Sequence, residues 1–388
     1  MQIVFWTCAA VVLYVYFVYP LVLRSGALGR RREDVTGTEQ PLISIIVAAH
    51  NEESVIAAKL RNLLASDYPR DRTEILIGSD GSSDRTEEIV GPYVAEGVGL
   101  ISFPRQQGKS AMQNGLVAAS CGTILVFTDA DCFSPAGAIP RLVEHFADPR
   151  VGLVTGHPRF ENENESRVRE NESLYLRYET WLREQEGARG LLAMASGSLF
   201  AVRRSLWRPL DKTLGDDFVL PLQVAEAGYR NILEPRAVSS THLAQGDVRS
   251  MLQLKIRIIS KDFRALLGHR HLLNPLRYGA TALSLWSHKL LRWFIPYFLI
   301  AMLGASLCRL ERPFFQAAFA AQASFYLLAF FGLLFRGRGE RGGNHLRFLW
   351  SLPLSFCVVN LAALLGTLKC LAGRTSGQWK PERRHLPA

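Results

Sequence analysis

Cysteine is scarce in this sequence, and its spacing is not that of a metal-binding or disulfide-rich protein. Six cysteines occur among 388 residues, and no two of them form a CxxC pair. Three of the six fall within the long apolar stretches considered below. We therefore expect neither a zinc site nor a framework of disulfides.

Two common phosphate-binding signatures are also missing. The P-loop pattern GxxxxGK[ST] does not occur, and no GxGxxG follows the first predicted strand. The first absence argues against an ATPase of the P-loop class, and the second argues against a dinucleotide cofactor.

The chain is basic, but it lacks the basic helix with interleaved aromatic residues that grips a nucleic acid backbone. The net charge is +10, from 45 Lys plus Arg against 35 Asp plus Glu. The excess lies beside the apolar stretches, in residues 24–32, 336–347 and 369–384. This placement favours anionic membrane lipids as partners and predicts no binding of nucleic acid.

Charge is absent altogether from residues 2–23. About 20 apolar residues suffice to cross a bilayer, so a membrane helix fits this stretch. In a cleaved signal peptide the basic residues precede the apolar run, whereas here Arg24, Arg30 and Arg31 follow it. We predict a transmembrane anchor over residues 1–24, with the N-terminus outside and the next domain in the cytoplasm.

The C-terminal third is also organised for a membrane. Apolar residues recur at helical spacing among the lysines and arginines of residues 250–267, which predicts amphipathic interfacial helices over residues 249–289. Transmembrane helices are expected over residues 290–370, followed by a basic tail at 371–388. Three spans after a cytoplasmic domain place this tail outside, although its basic residues prefer the inside. One apolar segment is then re-entrant or interfacial.

Residues 41–248 show the alternation of strands and helices that is typical of an α/β domain. Short apolar runs read as strands buried on both faces, and stretches of helical character separate them. This order predicts a mostly parallel sheet with helices on both faces and ligands beyond the carboxyl ends of the strands. The first four predicted strands cover residues 42–48, 74–78, 98–103 and 123–127.

Two aspartates follow the fourth predicted strand. Asp129 and Asp131 are two residues apart in an extended backbone, so both carboxylates can point to one place. Two like charges so close favour a bound cation, and oxygen ligands favour Mg²⁺ or Mn²⁺. The alternative is an Asp-rich turn that caps a helix.

Other polar residues lie where neighbouring strands or loops end. Asp80 is placed to accept hydrogen bonds from a base or ribose, and Lys109 is placed to pair with phosphate. With a divalent ion at Asp129, these residues suit a nucleoside diphosphate leaving group. Asp216 and Asp217 form a further acidic pair, for which the N-terminal cap of a helix is the structural alternative.

Seven short motifs, in order along the chain, resemble those of a known family. They are IIVAAHNEE (45–53), SDGSSD (79–84), QGKSAMQN (107–114), DAD (129–131), GSLFA (197–201), GDDF (215–218) and QLKIR (253–257). Together they resemble the membrane-bound family 2 glycosyltransferases, the group that includes cellulose, hyaluronan and poly-N-acetylglucosamine synthases.

The resemblance implies a GT-A fold and an inverting mechanism. It implies that Asp80 contacts the nucleotide, and that Asp129 and Asp131 hold the metal and the diphosphate. Asp217 matches the general base that takes a proton from the acceptor hydroxyl. A base needs a pKa raised toward the working pH, and the neighbouring Asp216 carboxylate acts in that direction.

One motif departs from the family pattern. In processive synthases a Gln-x-x-Arg-Trp motif supplies a tryptophan that stacks under the acceptor sugar. Gln253 and Arg257 are present here, but Ile258 stands in the tryptophan position. Arg257 can still hold the diphosphate, whereas processive extension loses its stacking platform. Transfer of one sugar to a lipid-linked acceptor therefore competes with polysaccharide synthesis.

The sequence thus predicts a metal-dependent hexosyl- or N-acetylhexosaminyltransferase of the bacterial inner membrane, active in the cytoplasm. Its donor is expected to be a nucleotide sugar, in the first place UDP-linked, and its acceptor a polysaccharide or a lipid-linked sugar. The alternative is a nucleotide-sugar-binding scaffold or transport component without catalysis. Transport is disfavoured because the apolar stretches contain almost no charge. A sugar nucleotidyltransferase would have no reason to carry four such stretches.

Overall fold

A computed structural model describes residues 1–29, 31, 35–161, 173–242, 248–334 and 344–373 of the chain. Within these ranges, a central seven-stranded sheet is flanked by helices, and long apolar helices precede and follow it. Most of the predicted basic tail lies outside the described residues.

The sheet has the strand order β3-β2-β1-β4-β6-β5-β7. Strands β1 to β4 pair in parallel, β6 runs antiparallel to both β4 and β5, and β7 is parallel to β5. The strands are β1 (Ile43–Ala49), β2 (Thr73–Asp80), β3 (Val98–Phe103), β4 (Ile124–Thr128), β5 (Val151–Glu161), β6 (Leu199–Arg203) and β7 (Arg230–His242).

The helices of the described residues are α-helices, short 3-10 turns and π-helical turns. Two short π-helical turns, Tyr14–Val18 and Leu285–Leu290, interrupt the membrane-type segments. The α-helices are α1 (Gln2–Leu13), α2 (Tyr19–Ser25), α3 (Ile56–Leu64), α4 (Thr86–Val90), α5 (Lys109–Ala119), α6 (Ala138–Val143), α7 (Ser173–Gly187), α8 (Asp216–Glu226), α9 (Val248–Gly268), α10 (Pro275–Ser284), α11 (Leu291–Leu307), α12 (Pro313–Leu334) and α13 (Asn344–Leu371).

Both faces of the sheet are covered, which confirms the predicted fold class. Every residue of β1 is buried, and its alternate side chains enter two different cores. Ile45 packs with α3 and α6 on one face, and Ile46 packs with α5 and α8 on the other. The second core continues through Phe263 of α9 to Trp293 of α11, so the domain and the apolar helices share one interior.

Strand β7 was not predicted from the sequence. Its apolar character is broken by Glu234, Pro235 and Arg236, which lie between two runs that pair with β5. The pairing register shifts at this point, where Leu233 and Val238 pair with Thr155 and His157. A bulge of this kind absorbs a proline within a sheet, and it hides the period of two from sequence inspection.

Four helical segments of the described residues are long and apolar enough to cross a membrane. They are Gln2–Ser25, Pro275–Leu307, Pro313–Leu334 and Leu352–Leu371. The structure differs from the expectation of a separate interfacial helix up to residue 289. Helix α10 instead continues through the π-helical turn into α11, because the φ/ψ angles at that junction stay helical.

Helix α13 packs along the amphipathic helix α9. A Cβ atom on Gly366 would lie 3.0 Å from the Ile259 side chain, so the absence of a side chain allows the helices to approach closely. The Thr367 hydroxyl is 2.8 Å from the Tyr297 hydroxyl at the start of α11. The C-terminal part of α13 therefore lies on the sheet-domain side of the apolar helices.

A buried polar cluster joins the N-terminal helix to the domain. The Tyr19 hydroxyl donates to Glu186 Oε1 at 2.6 Å, and Ser284 donates to the same oxygen at 3.1 Å. His288 Nδ1 lies 2.9 Å from both Glu186 oxygens. Because Tyr19 and Glu186 are both almost fully buried, these bonds satisfy groups that water does not reach.

Candidate active site

Asp80, at the carboxyl end of β2, holds the loop that leads into α5. Its Oδ1 accepts a hydrogen bond from the Gln107 amide at 2.7 Å, and its Oδ2 accepts one from the Gly108 amide at 2.8 Å. The side chain is completely buried. Asp80 therefore fixes the backbone just before Lys109, a role that the sequence did not indicate. Contact with a nucleotide stays a prediction.

Gly81 allows β2 to end directly against this loop. Its φ angle is +64°, and a Cβ atom would lie 2.6 Å from the Gln106 amide nitrogen. Only glycine accepts both the left-handed backbone and the close approach without a shift. The glycine of the SDG sequence is therefore required for steric reasons, because a larger residue at position 81 would clash with the loop at the edge of the site.

Lys109, in the first turn of α5, connects the two acidic motifs. Its Nζ atom lies 2.8 Å from Asp129 Oδ1 and 3.2 Å from Asp216 Oδ2. Burial alone would lower the pKa of Lys109, but the Asp129 and Asp216 carboxylates raise it well above its usual value. The lysine is therefore charged. It forms a bridge between carboxylates, where the sequence had suggested a phosphate partner.

Asp129 and Asp131 follow β4, as predicted, and their carboxylates approach each other. Ligand atoms of Asp129, Asp131 and Cys132 all lie within 4.8 Å of one another. Burial raises the pKa of Asp129, the Lys109 charge opposes this, and the Asp131 carboxylate adds to it. Two half-buried carboxylates on one side fit a hard divalent cation, which would remove their mutual repulsion.

Asp216 and Asp217 begin α8 and have different environments. Asp216 accepts a hydrogen bond from Gln113 at 2.6 Å in addition to its ion pair with Lys109. Burial alone would raise the pKa of Asp216, but these two partners lower it. Burial, and next the Asp216 charge, raise the pKa of Asp217 to about 6. The pair thus combines a carboxylate that stays ionised with one that can exchange a proton near neutral pH.

Helix α9 passes beside the site, with Lys261 and Asp262 near Asp217. Gln253 is exposed, Arg257 is half-buried, and Ile258 is 38% exposed. Burial and the nearby charge of Arg257 lower the pKa of Lys261, while the Asp217 charge opposes them. Arg257, Lys261 and Asp217 therefore lie in one region. Contact of Gln253 or Arg257 with a diphosphate stays a prediction.

Two buried charged residues near the site were missed from the sequence. Asp262 is the sole acidic residue of α9, and burial and then the Asp217 charge raise its pKa to about 8. Lys59 of α3 donates to Thr128 Oγ1 at 2.8 Å and to the carbonyl oxygen of Cys132. Lys59 thus binds the residue on each side of the DAD motif, through the Thr128 hydroxyl and the Cys132 backbone. Asp262 could have been noticed in the sequence, because it is the sole acidic residue of a basic helix. Lys59 could not, because a lysine on a surface-type helix is common.

The structure thus brings Lys109, Asp129, Asp131, Asp216 and Asp217 together at the carboxyl ends of β2 and β4. Residues 44–209, which include five of the seven motifs, match the family described as Glycosyl transferase family 2. These residues form a family 2 glycosyltransferase domain.

Relatives of this glycosyltransferase domain occur in bacteria. The chain is 32% identical over 219 residues to the probable glycosyltransferase YdaM of Bacillus subtilis, covering 52% of this chain and 50% of that protein. It is 29% identical over 194 residues to the beta-monoglucosyldiacylglycerol synthase of Trichormus variabilis, covering 47% and 41% of the two chains. The chain thus spans half or less of the length of these relatives.

One solved structure resembles this chain in both the glycosyltransferase domain and the apolar helices. The mannosyltransferase PcManGT from Pyrobaculum calidifontis, in complex with GDP-Man and Mn²⁺, superposes with a TM-score of 0.71. The likeness covers 96% of this chain and 99% of that one, at 20% sequence identity. At this identity the comparison shows that the whole architecture is shared: the GT-A domain together with the helices before and after it.

Proposed function

We propose that the protein is an inverting, divalent-cation-dependent glycosyltransferase. It transfers a sugar from a nucleoside diphosphate donor to a hydroxyl group of a lipid-linked or polysaccharide acceptor at the membrane. Asp217 is the general base. Asp129 and Asp131 hold the cation, and Asp80, Lys109, Gln253 and Arg257 line the donor side.

The main support for this proposal is that the adjacent aspartates Asp216 and Asp217 have different partners and opposite pKa shifts. Asp216 is ion-paired with Lys109 and bonded to Gln113, so it is committed to holding the site together. Asp217 forms no ion pair within the described residues, and its pKa is raised to about 6. A group that is ionised at pH 7 but still basic enough to accept a proton is what a general base requires.

The reaction then follows from the positions of the side chains. The Asp217 carboxylate takes the proton of the acceptor hydroxyl as its oxygen attacks the anomeric carbon. The bond from that carbon to the diphosphate oxygen breaks, with inversion at the carbon. The negative charge of the departing diphosphate develops beside Lys109 and the Asp129 and Asp131 region. A divalent cation held by these two aspartates would supply Lewis-acid charge neutralisation there.

The acceptor side supports addition of single sugars. Ile258 offers no aromatic face on which a growing chain could stack, although the side chain is exposed. The relative named beta-monoglucosyldiacylglycerol synthase supports a lipid acceptor. UDP-linked sugars are the first donors to test, and GDP-mannose is the second because it is bound by the mannosyltransferase of similar fold.

We also propose an inner-membrane location with the domain in the cytoplasm. Three spans, formed by Gln2–Ser25, Pro275–Leu307 and Pro313–Leu334, place both the domain and the end of α12 inside. Helix α13 then lies at the cytoplasmic interface, where it packs along α9. This arrangement keeps Lys369 on the cytoplasmic side, which the positive-inside rule favours.

The function is tested with the purified full chain in detergent or nanodiscs. Nucleoside diphosphate release and product mass are measured with a panel of nucleotide sugars, Mg²⁺ or Mn²⁺, and a membrane-lipid extract. Asp217→Asn is expected to lower turnover by about a hundredfold or more while donor affinity stays within about twofold. Asp211→Asn, in the loop before α8, is the matched control. Full turnover by Asp217→Asn would refute the base assignment, and donor binding without turnover in the parent would favour the scaffold alternative.

A further inference from the structure

A large basic cavity lies outside the active site, at the junction of the domain with two apolar helices. It has a volume of about 720 Å³, within the range of small-molecule sites. Its walls come from the chain after α2, the end of α7, the end of α8, the start of β7 and the start of α10. The charged residues among its lining are all arginines: Arg31, Arg150, Arg189, Arg230 and Arg277.

These arginines are poorly neutralised by the protein. Arg150 is held by Asp148, with Nε to Oδ1 at 3.1 Å. Arg189 donates to carbonyl oxygens of Gly29 and Gln185, at 3.2 and 2.8 Å. Within the described part of the chain, none of Arg31, Arg189, Arg230 and Arg277 has a carboxylate within ion-pair distance. Among the residues that the structure describes, the cavity therefore carries more arginine charge than nearby carboxylates balance.

The positive charges of the cavity repel one another, as the lowered pKa of Arg189 indicates. Burial lowers its pKa, and the charge of Arg31 lowers it further. Arginines held near one another in this way repel, and an anion placed between them removes the repulsion. Guanidinium groups are also the side chains best shaped to bind phosphate through two parallel hydrogen bonds.

The position of the cavity points to the source of that anion. Leu28 and Gly29, on one wall, come directly after the candidate span Gln2–Ser25. Arg277 and Tyr278, on another wall, lie in the first turn of the candidate span Pro275–Leu307. The two spans thus reach the domain beside the cavity. If these two segments cross the membrane, lipid phosphates lie near this point, because the first segment ends and the second begins here.

A kink opens α10 at this wall. Gly279 has φ 50° and ψ −122°, a non-helical conformation between Tyr278 and Thr281, and no atom lies within 4 Å of where its Cβ would be. The Arg277 guanidinium lies over the Tyr278 ring, with 5.3 Å to the ring centroid, which holds it beside the cavity. The chain therefore leaves open space around Gly279, next to the lining residues Tyr278 and Thr281.

We propose that this arginine cavity binds the phosphate group of an anionic phospholipid, with Arg189, Arg230 and Arg277 as the principal contacts. The site is separate from the donor site and does not depend on the proposed transferase activity. Bound lipid would neutralise the cavity and tie the end of the first span to the start of the second.

The test uses the full chain in detergent and short-chain phospholipids as probes. Dihexanoyl phosphatidylglycerol and dihexanoyl phosphatidylcholine are titrated separately, and binding is followed by calorimetry and by the thermal unfolding midpoint. Phosphatidylglycerol is expected to bind at least tenfold more tightly than phosphatidylcholine. Because each arginine near anionic lipid contributes a factor of about five, Arg230→Gln with Arg277→Gln should weaken phosphatidylglycerol binding about 25-fold.

Two control variants separate the cavity from general membrane charge. Arg312→Gln removes an exposed arginine between α11 and α12, and its affinity for phosphatidylglycerol should equal that of the parent. Arg277→Lys keeps the charge but loses the paired donors, so its affinity should fall between those of the parent and Arg277→Gln. Unfolding midpoints without lipid show whether each variant is folded, and Arg277→Gln alone suffices if the double variant is not.

Inorganic phosphate and glycerol 3-phosphate form a second arm that distinguishes the sources of phosphate. Failure of both to bind at millimolar concentration, with tight binding of phosphatidylglycerol, supports a lipid ligand. Tighter binding of the soluble phosphates than of the lipid overturns the lipid assignment. Equal affinity of the parent and Arg277→Gln for phosphatidylglycerol overturns the assignment of this cavity as the binding site. Donor binding, measured on the same samples, reports separately on the active site.

Discussion

The Nζ atom of Lys109 lies 2.8 Å from Oδ1 of Asp129. This contact joins the first turn of α5 to the residue that follows β4, and the same nitrogen also reaches Asp216 at the start of α8. The Lys109 ammonium group thus fixes the position of Asp129, a proposed metal ligand, relative to Asp216, the neighbour of the proposed base Asp217. Loss of this lysine should affect donor binding and catalysis together.

Lys109→Met should weaken binding of a nucleoside diphosphate in the presence of Mn²⁺ by about tenfold or more, because it leaves two carboxylates without their shared counter-ion. Calorimetric titration measures the change. Lys212→Met, an exposed lysine in the loop before α8, is the control and should bind as the parent does. Equal affinity of Lys109→Met and the parent would show that the lysine has no part in the donor site.

The pH dependence of activity should report the ionisation of Asp217. With a pKa of about 6, the base loses its function as it is protonated, so kcat/KM should fall about tenfold per pH unit below pH 6 and level off above it. Asp216→Asn removes a negative charge that raises this pKa, so the acidic limb should move to lower pH. If the acidic limb of the pH profile is unchanged in Asp216→Asn, the limb reports the ionisation of a group other than Asp217. Asp211→Asn controls for changes in net charge.

Gly81→Ala should destabilise the loop that Asp80 organises. The added methyl group would meet the Gln106 amide at 2.6 Å in a backbone conformation that alanine rarely adopts, at a cost of about 1 to 3 kcal/mol. Gly97→Ala is a matched control, because Gly97 also has positive φ but has open space around its Cβ position. Denaturant unfolding and donor affinity are compared for both. Similar losses in the two variants would mean that backbone strain alone matters and that the close approach does not.

Ile258→Trp tests whether the missing aromatic platform limits chain extension. Product length, read by mass spectrometry, should increase from single addition toward short oligomers if stacking is the limiting factor. Leu267→Trp places the same side chain at an exposed site on the same helix and should leave product length unchanged. Unchanged products in Ile258→Trp would show that another feature sets the length.

The sequence was sufficient for the parts of the site that lie on regular elements. Runs of buried residues located β1 to β4, and a period of two placed Asp129 and Asp131 on one side. The partners of Lys109 could not be read in this way, because Asp216 comes from α8, more than a hundred residues later, and only the sheet order brings the two together. Lys59 was missed for the same reason, since its role depends on what packs against it, whereas Asp262 could have been noticed as the sole acidic residue of α9.

Tyr19→Phe should destabilise the whole protein, although the residue lies in the N-terminal helix. The change removes a 2.6 Å hydrogen bond to the buried Glu186 and is expected to cost about 1 to 3 kcal/mol. The unfolding midpoint of the purified chain in detergent measures this loss. Tyr93→Phe, at a partly buried position of the catalytic domain, should change stability by less than about 0.5 kcal/mol. If Tyr19→Phe costs no more than Tyr93→Phe, the bond is not important for stability.

The contacts of the first helix also determine how the protein can be divided. Leu23 is fully buried, and it packs with Tyr19 against Leu182 of α7. Deleting the helix would uncover this apolar surface and expose the Glu186 carboxylate without its tyrosine donor. A catalytic domain produced without its anchor should aggregate or unfold at temperatures where the full chain is intact. We therefore expect the N-terminal helix and the sheet domain to unfold together as one cooperative unit.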